Sequence, residues 1–170
     1  MNFFFGIKNS IFSCKLTVPK FKNFGKSSKD INLYEAFPKN NLWTINKVDC
    51  EENELFFFLN NNKIENNKVF FIAKKIEAEY FQKNNNQLID VSKFTNTKPT
   101  AFRSNLKIFI PNKGFSSYQS EYPFDMTNKH GNILSPISML LNKDADYNFI
   151  FFKNIYFKPE QNKSNLYFIN

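Results

Sequence analysis

"ELFFFLNNNKIENNKVFFIA", residues 54–73, carries the fold class of this chain. Two apolar runs, 55–59 and 69–73, flank a polar connection of Asn, Lys and Glu. Short aromatic and β-branched runs bounded by Asn-rich turn material are strand signals. Read together, the two runs form a β-hairpin. Neither "LFFFL" nor "VFFI" alternates with polar residues, so both faces of each strand are expected to be covered.

The same texture recurs outward from that stretch. "FFFGI" (3–7), "IFSCKLTV" (11–18), "LWTINKV" (42–48), "LIDVSKF" (88–94), "LKIFIP" (106–111), "NFIFFKNIYF" (148–157) and "NLYFI" (165–169) all read as strands. In the 148–157 run, Phe149, Phe151 and Lys153 share one face, and Ile150, Phe152 and Asn154 the other. Helix signals are few. In "SPISMLLN" (135–142), Ser135 can cap, Pro136 suits the first helical position, and Ile137, Leu140 and Leu141 fall on one side. "KKIEAEYFQK" (74–83) is a second candidate. The pattern predicts a mainly β protein, an antiparallel sandwich or barrel of short strands with one or two short helices. At 170 residues the chain fits one domain, 1–170, and "PKFKNFGKSSKD" (19–30) reads as a basic loop or tether within it.

Composition narrows the function classes. Hydrophobic content of 42%, with 23 Phe, is enough to build a core, so global disorder is excluded. Four Gly in the whole chain argue against glycine-rich nucleotide loops. The net charge of +8 points toward nucleic acid only superficially, because 22 of the 23 basic residues are Lys and Arg103 is the sole Arg. Nucleic-acid readers enlist Arg for bidentate contacts to phosphate and guanine. The excess is also local: residues 1–48 carry +6, residues 49–100 carry −1 and residues 101–170 carry +3. No run is long enough to span a membrane as a helix. The segment "MNFFFGIKNSIFSC" lacks a basic leader and is interrupted by Lys8, unlike an export signal. Cys14 and Cys50 have no metal-ligand spacing and read as buried free thiols in a reducing, cytoplasmic compartment.

The composition departs from its background in one region. Residues 99–136 hold the only Arg, the only His, two of the four Gly and four of the seven Pro. There, "GFSSYQSEYPFDM" (114–126) concentrates hydroxyl, amide, carboxylate and aromatic groups between Gly114 and Pro123. As a loop, it offers rings to stack on a polyhydroxylated ligand and polar groups to satisfy its hydroxyls. Arg103, Ser117, Tyr118, Gln119, Glu121, Tyr122 and His130 are the candidate binding residues. A loop whose Ser and Tyr bond their own backbone has the same composition. Arg103 is suited either to an anionic ligand or to an ion pair with Glu121 or Asp125.

Other motifs carry less. "DADYN" (144–148) opens like a calcium loop, but Phe149 stands where Gly is required and Ile155 where Glu is required, so a turn is expected. "KFKNFGK" (20–26) interleaves Lys and Phe over too short a span for a strand or membrane binder. "DCEENE" (49–54) reads as a hairpin turn offsetting nearby Lys, and Trp43 as a core or rim aromatic. No motif implies a cofactor or a metal.

Three functions remain open at this level. The first is a non-catalytic binding domain for a polar ligand such as a saccharide, using 103–131. The second is a small enzyme on a sugar or surface-polymer precursor, with His130 as acid/base oriented by Glu121 or Asp125. The third is an interaction or assembly subunit, self-associating or binding another protein through exposed strand edges or apolar patches.

Overall fold

The computed structural model describes residues 1–20, 30–91, 103–127, 142–145, 148–151, 153 and 155–159, and the backbone of 22–23 and 26–27. Two five-stranded antiparallel sheets face one another, the sandwich that the strand texture predicts. The first sheet has the order β12 (Glu121–Pro123), β1 (Asn2–Phe4), β9 (Val69–Lys74), β5 (Ile31–Lys39), β6 (Leu42–Lys47). The second has the order β11 (Gly114–Tyr118), β10 (Asn105–Ile110), β2 (Ser13–Pro19), β8 (Phe56–Asn60), β7 (Glu51–Glu52). A two-residue ribbon, β3 (Lys22–Asn23) with β4 (Lys26–Ser27), lies inside the 19–30 stretch read as a loop.

Alternation along the strands builds two cores. Between the sheets, Phe4, Leu33, Phe70 and Ile72 meet Leu16, Val18, Phe57, Leu59, Leu106 and Ile108. The residues of opposite parity on the first sheet, Phe3, Tyr34, Ala36 and Phe71, form a second core on its far side with Phe81, Leu88 and Val91. Helix α1 (Lys75–Lys83) supplies Ala78 and Phe81 to that cover. The 74–83 helix is therefore present. It begins where the Glu77 carboxylate accepts the Lys74 amide at 2.6 Å, satisfying a donor that the helix start leaves open. The helix read over 135–142 lies outside the described residues except Asn142, which sits beside a turn.

Turn chemistry follows the sequence closely. β5 and β6 are joined by Asn40 and Asn41, both at positive φ (52° and 59°), as a two-residue hairpin of the right-handed-twist class requires. Between β10 and β11, Pro111 presets the first corner and Asn112 takes φ 61°, closed by Lys113 N–H to Ile110 C=O at 3.0 Å. The acidic 49–54 cluster is a hairpin turn only in part: Glu51 and Glu52 are strand β7, and the turn follows them, where the Asn53 side chain accepts the amides of Leu55 and Phe56, both at 2.8 Å. Glu52 there pairs with Lys20 at 2.7 Å. Trp43 is buried, its indole N–H 3.3 Å from the Phe157 carbonyl.

The 54–73 hairpin is corrected. β8 and β9 do not pair; they belong to opposite sheets. β9 is buried on both faces, whereas Phe56 and Phe58 of β8 turn to a half-exposed outer face. Among the described residues only the first sheet is covered on both faces, so a strand apolar on both sides belongs there and its neighbour in sequence does not. The connection itself plugs the sandwich. Ile64 is fully buried under Gly6, and the Asn66 side chain exchanges two hydrogen bonds with the Lys8 backbone (2.8 and 2.7 Å).

Two further strand readings change. In 88–94, the described residues 88–91 form no strand: Leu88 and Val91 instead pack onto the second core, with Leu88 N–H 2.7 Å from the Phe157 carbonyl. In 148–157, the described residues are also in no strand. The side shared by Phe149, Phe151 and Lys153 is nonetheless real in part. Both rings reach Phe12, at centroid distances of 4.9 and 5.8 Å. Lys153 turns inward, its ammonium donating to the backbone carbonyls of Asn66 and Lys68. The 165–169 run lies outside the described residues.

Candidate functional site

The polar stretch 114–126 is not a loop. Residues 114–118 form β11 at the edge of the second sheet, and 121–123 form β12 at the edge of the first. Gln119 and Ser120 carry the chain across from one sheet to the other. A crossing chain loses its ladder partners, and buried backbone groups must then be satisfied otherwise. Ser120, fully buried, accepts the Phe5 amide at 2.9 Å and donates from its hydroxyl to the Phe5 carbonyl. Its own amide donates to the Ser104 hydroxyl at 3.2 Å. Glu121 accepts the Ser104 amide at 2.8 Å on one oxygen and the Asn2 side chain at 3.5 Å on the other. Arg103 donates to the Gln119 amide oxygen at 2.9 Å, not to Glu121 or Asp125 as an ion-pair reading requires.

The candidate residues thus separate. Arg103, Gln119 and Glu121 are brought together, and each hydrogen-bonds within the crossing. Tyr122 is half-buried on the second core, its hydroxyl 3.3 Å from the Met126 carbonyl. Ser117 and Tyr118 stand exposed on β11, on opposite faces of the strand. His130 lies outside the described residues.

β11 also forms one wall of an open cleft of about 450 Å³. Its floor is Ile108 and Ile110 of β10, its near wall Ser116 and Tyr118, and its far wall Asn142, Ala145, Asn148, Phe149 and Phe151. The far wall is itself a turn, closed by Asn142 and Asn148, whose backbone and side-chain groups exchange hydrogen bonds of 3.0 Å. The rings are unusually open for such a chain: Phe115 is 68% exposed and Tyr118 52%, with Phe149, Ile150 and Phe151 also exposed. Large exposed apolar groups gathered in one place mark a binding surface. Phe12 and 149–151 were not among the candidate binding residues read from the sequence. The available signal was an aromatic run richer than an outer segment needs for packing.

The charge on the β10–β11 side of the cleft is of one sign, while the facing wall carries Lys143 and Asp144. From 103 to 120 the chain carries Arg103, Lys107 and Lys113 and no acidic residue. Lys107 holds its ammonium 4.0 Å from the centre of the Phe115 ring, a cation–π contact. Lys15 lies beside Lys107 across the β2–β10 pairing and is exposed.

Elsewhere the titratable groups are structural. Burial works against the Lys68 ammonium, but Glu35 at 3.0 Å and Glu65 at 3.4 Å outweigh it and hold its pKa above the usual lysine value. Burial pushes the Cys14 and Cys50 thiols up, and both are free. A 300 Å³ cleft between α1 and the β5–β6 face is lined by Tyr34, Ile45 and Ala78 with Lys47, Lys75 and Gln82 at its rim. Among the described residues no cluster of His, Cys, Asp or Glu is placed to hold a metal, and no helix is long and apolar enough to cross a membrane. Compared with known protein families, with curated proteins and with solved structures, the chain matches none.

Proposed function

We propose that this chain is a non-catalytic binding module that engages a protein partner through β11 and the cleft wall that faces it. The carrying observation is the gathering of exposed Phe115, Tyr118, Phe149 and Phe151 around one open cleft. A surface of this kind stabilises a complex by removing apolar area from water. The saccharide reading asks the hydroxyls, amide and carboxylate of 103–131 to turn outward. Ser120, Gln119 and Glu121 are instead engaged in the crossing between sheets, which favours the protein-partner reading. The same engagement weighs against catalysis through Glu121, both of whose oxygens accept hydrogen bonds. Two free thiols fit a reducing, cytoplasmic setting.

Affinity capture with the wild-type chain and with a Phe115→Ser/Tyr118→Ser double variant of unchanged melting temperature tests this. A partner held by the wild type and lost by the variant is expected. A partner held equally by both places the interface elsewhere and overturns the reading.

A further inference from the structure

Four strands end the two sheets, and three of them are guarded. β7 is two residues long, and both are Glu. β12 is three residues long and closes on Pro123. β6 has its outward amides taken: Trp43 N–H donates to the Asn85 carbonyl at 2.8 Å and Ile45 N–H to the Gln82 side chain at 2.8 Å. Brevity, charge, proline and a covering segment are the usual means of keeping a sheet edge from pairing further. Among the described residues β11 has none of them. It is five residues long, contains no charge and no proline, pairs among the described residues with β10 alone, and every residue is exposed.

We propose that the outer edge of β11 accepts one added strand, donated by an extended segment of a partner protein whose residues alternate acidic and apolar. This rests on the interaction reading above and names the class of partner. Main-chain hydrogen bonds to β11 supply affinity that is independent of sequence, and alternate side chains supply specificity. The two faces of β11 set that alternation. Ser116 and Tyr118 lie opposite Ile108 and Leu106, on the side that opens into the 450 Å³ cleft, so side chains of the added strand on that side are apolar. Phe115 and Ser117 lie on the other face of the strand with Phe109 and Lys107, and next to them Lys15, although Phe109 and Phe115 also contribute to the cleft lining. Side chains on that side meet cations with no acid among residues 103–120, so they are acidic. A second copy of this chain is a poorer occupant. Its β11 brings no carboxylate to Lys107, and it carries the same net charge of +8.

The probe is a short peptide alternating Glu with Val and Phe, added to the full chain and followed by amide hydrogen exchange and fluorescence anisotropy. Slowed exchange at 114–118 is expected, with binding weakened about tenfold when Lys replaces Glu in the peptide. Ser116→Lys, which supplies the missing guard on the cleft side, is expected to weaken binding by a similar factor while leaving the melting temperature unchanged. Unaltered exchange at β11 overturns the proposal, as does protection of β6, β7 or β12 instead, or equal binding of the Lys peptide. Self-association in sedimentation that Ser116→Lys abolishes assigns the edge to a second copy and likewise overturns it. If a captured partner depends on Phe115 and Tyr118 while the peptide leaves β11 unprotected, strand addition fails and the interaction reading stands. Loss of both results removes both.

Discussion

Single side chains decide several local stabilities. A Cβ on Gly6 would stand 2.4 Å from Cγ2 of Ile64, which is fully buried and branched, so it has nowhere to retreat. Gly6→Ala is expected to destabilise by about 1–3 kcal/mol through overpacking, read as a lower urea midpoint at unchanged slope. Glu77 is the buried acid of α1: one oxygen accepts the Lys74 amide, while the other has no hydrogen-bond partner. Burial raises its pKa, only partly offset by the Lys74 amide and charge. The folded chain therefore binds this proton more tightly than the unfolded chain does. The Glu77 contribution to stability is largest at acid pH and is lost as pH rises from about 4.5 through the folded pKa. Glu77→Gln keeps an acceptor for Lys74 and removes the titration. Stability curves should show the wild type losing ground to the variant as pH rises through that window, and parallel curves would contradict the assignment.

At the scale of elements, one half-buried lysine ties the chain at 153 to the connection that follows β8. Lys153 donates to the carbonyls of Asn66 and Lys68, and burial lowers its pKa to about 8. Between pH 8 and 10.5 the unfolded chain holds this proton and the folded chain has released it, so stability rises with pH across that window. The full swing is about 3 kcal/mol, and Lys153→Met should flatten it in denaturant titrations run across the same range. What the sequence disclosed about elements follows a simple rule. Runs with dense β-branched and aromatic residues, such as those of β2, β8, β9 and β10, are legible because their burial needs no context. β5 was missed because Asn32, Glu35 and Pro38 break up "INLYEAFPK", although Ile31 and Leu33 serve one core and Tyr34 and Ala36 the other. β11 and β12 were read as a loop because Ser, Gln and Glu favour turns in isolation. Their polarity instead replaces ladder bonds where the chain changes sheets. That substitution depends on Phe5 and Ser104, neither of which is near in sequence. The candidate site was legible as a location and not as a surface, since its far wall comes from Asn142, Ala145, Asn148, Phe149 and Phe151.

Over the whole molecule, the two sheets share a trait that bears on how the chain comes to be folded. β1 pairs with β12, setting Asn2 opposite Pro123, and β2 pairs with β10. The sandwich is thus stitched by its most distant segments, a topology associated with folding in milliseconds to seconds rather than microseconds. Synthesis runs from the N-terminus, so Phe3, Phe4 and Phe5 emerge long before the strand that flanks them exists. β9 can shelter Phe4 partway through translation, but Ser120 must arrive before the Phe5 backbone has its partner. A nascent chain arrested before residue 120 leaves a sticky amino-terminal stretch uncovered, which makes the ribosome-bound intermediate, rather than the finished sandwich, the form most in need of a chaperone.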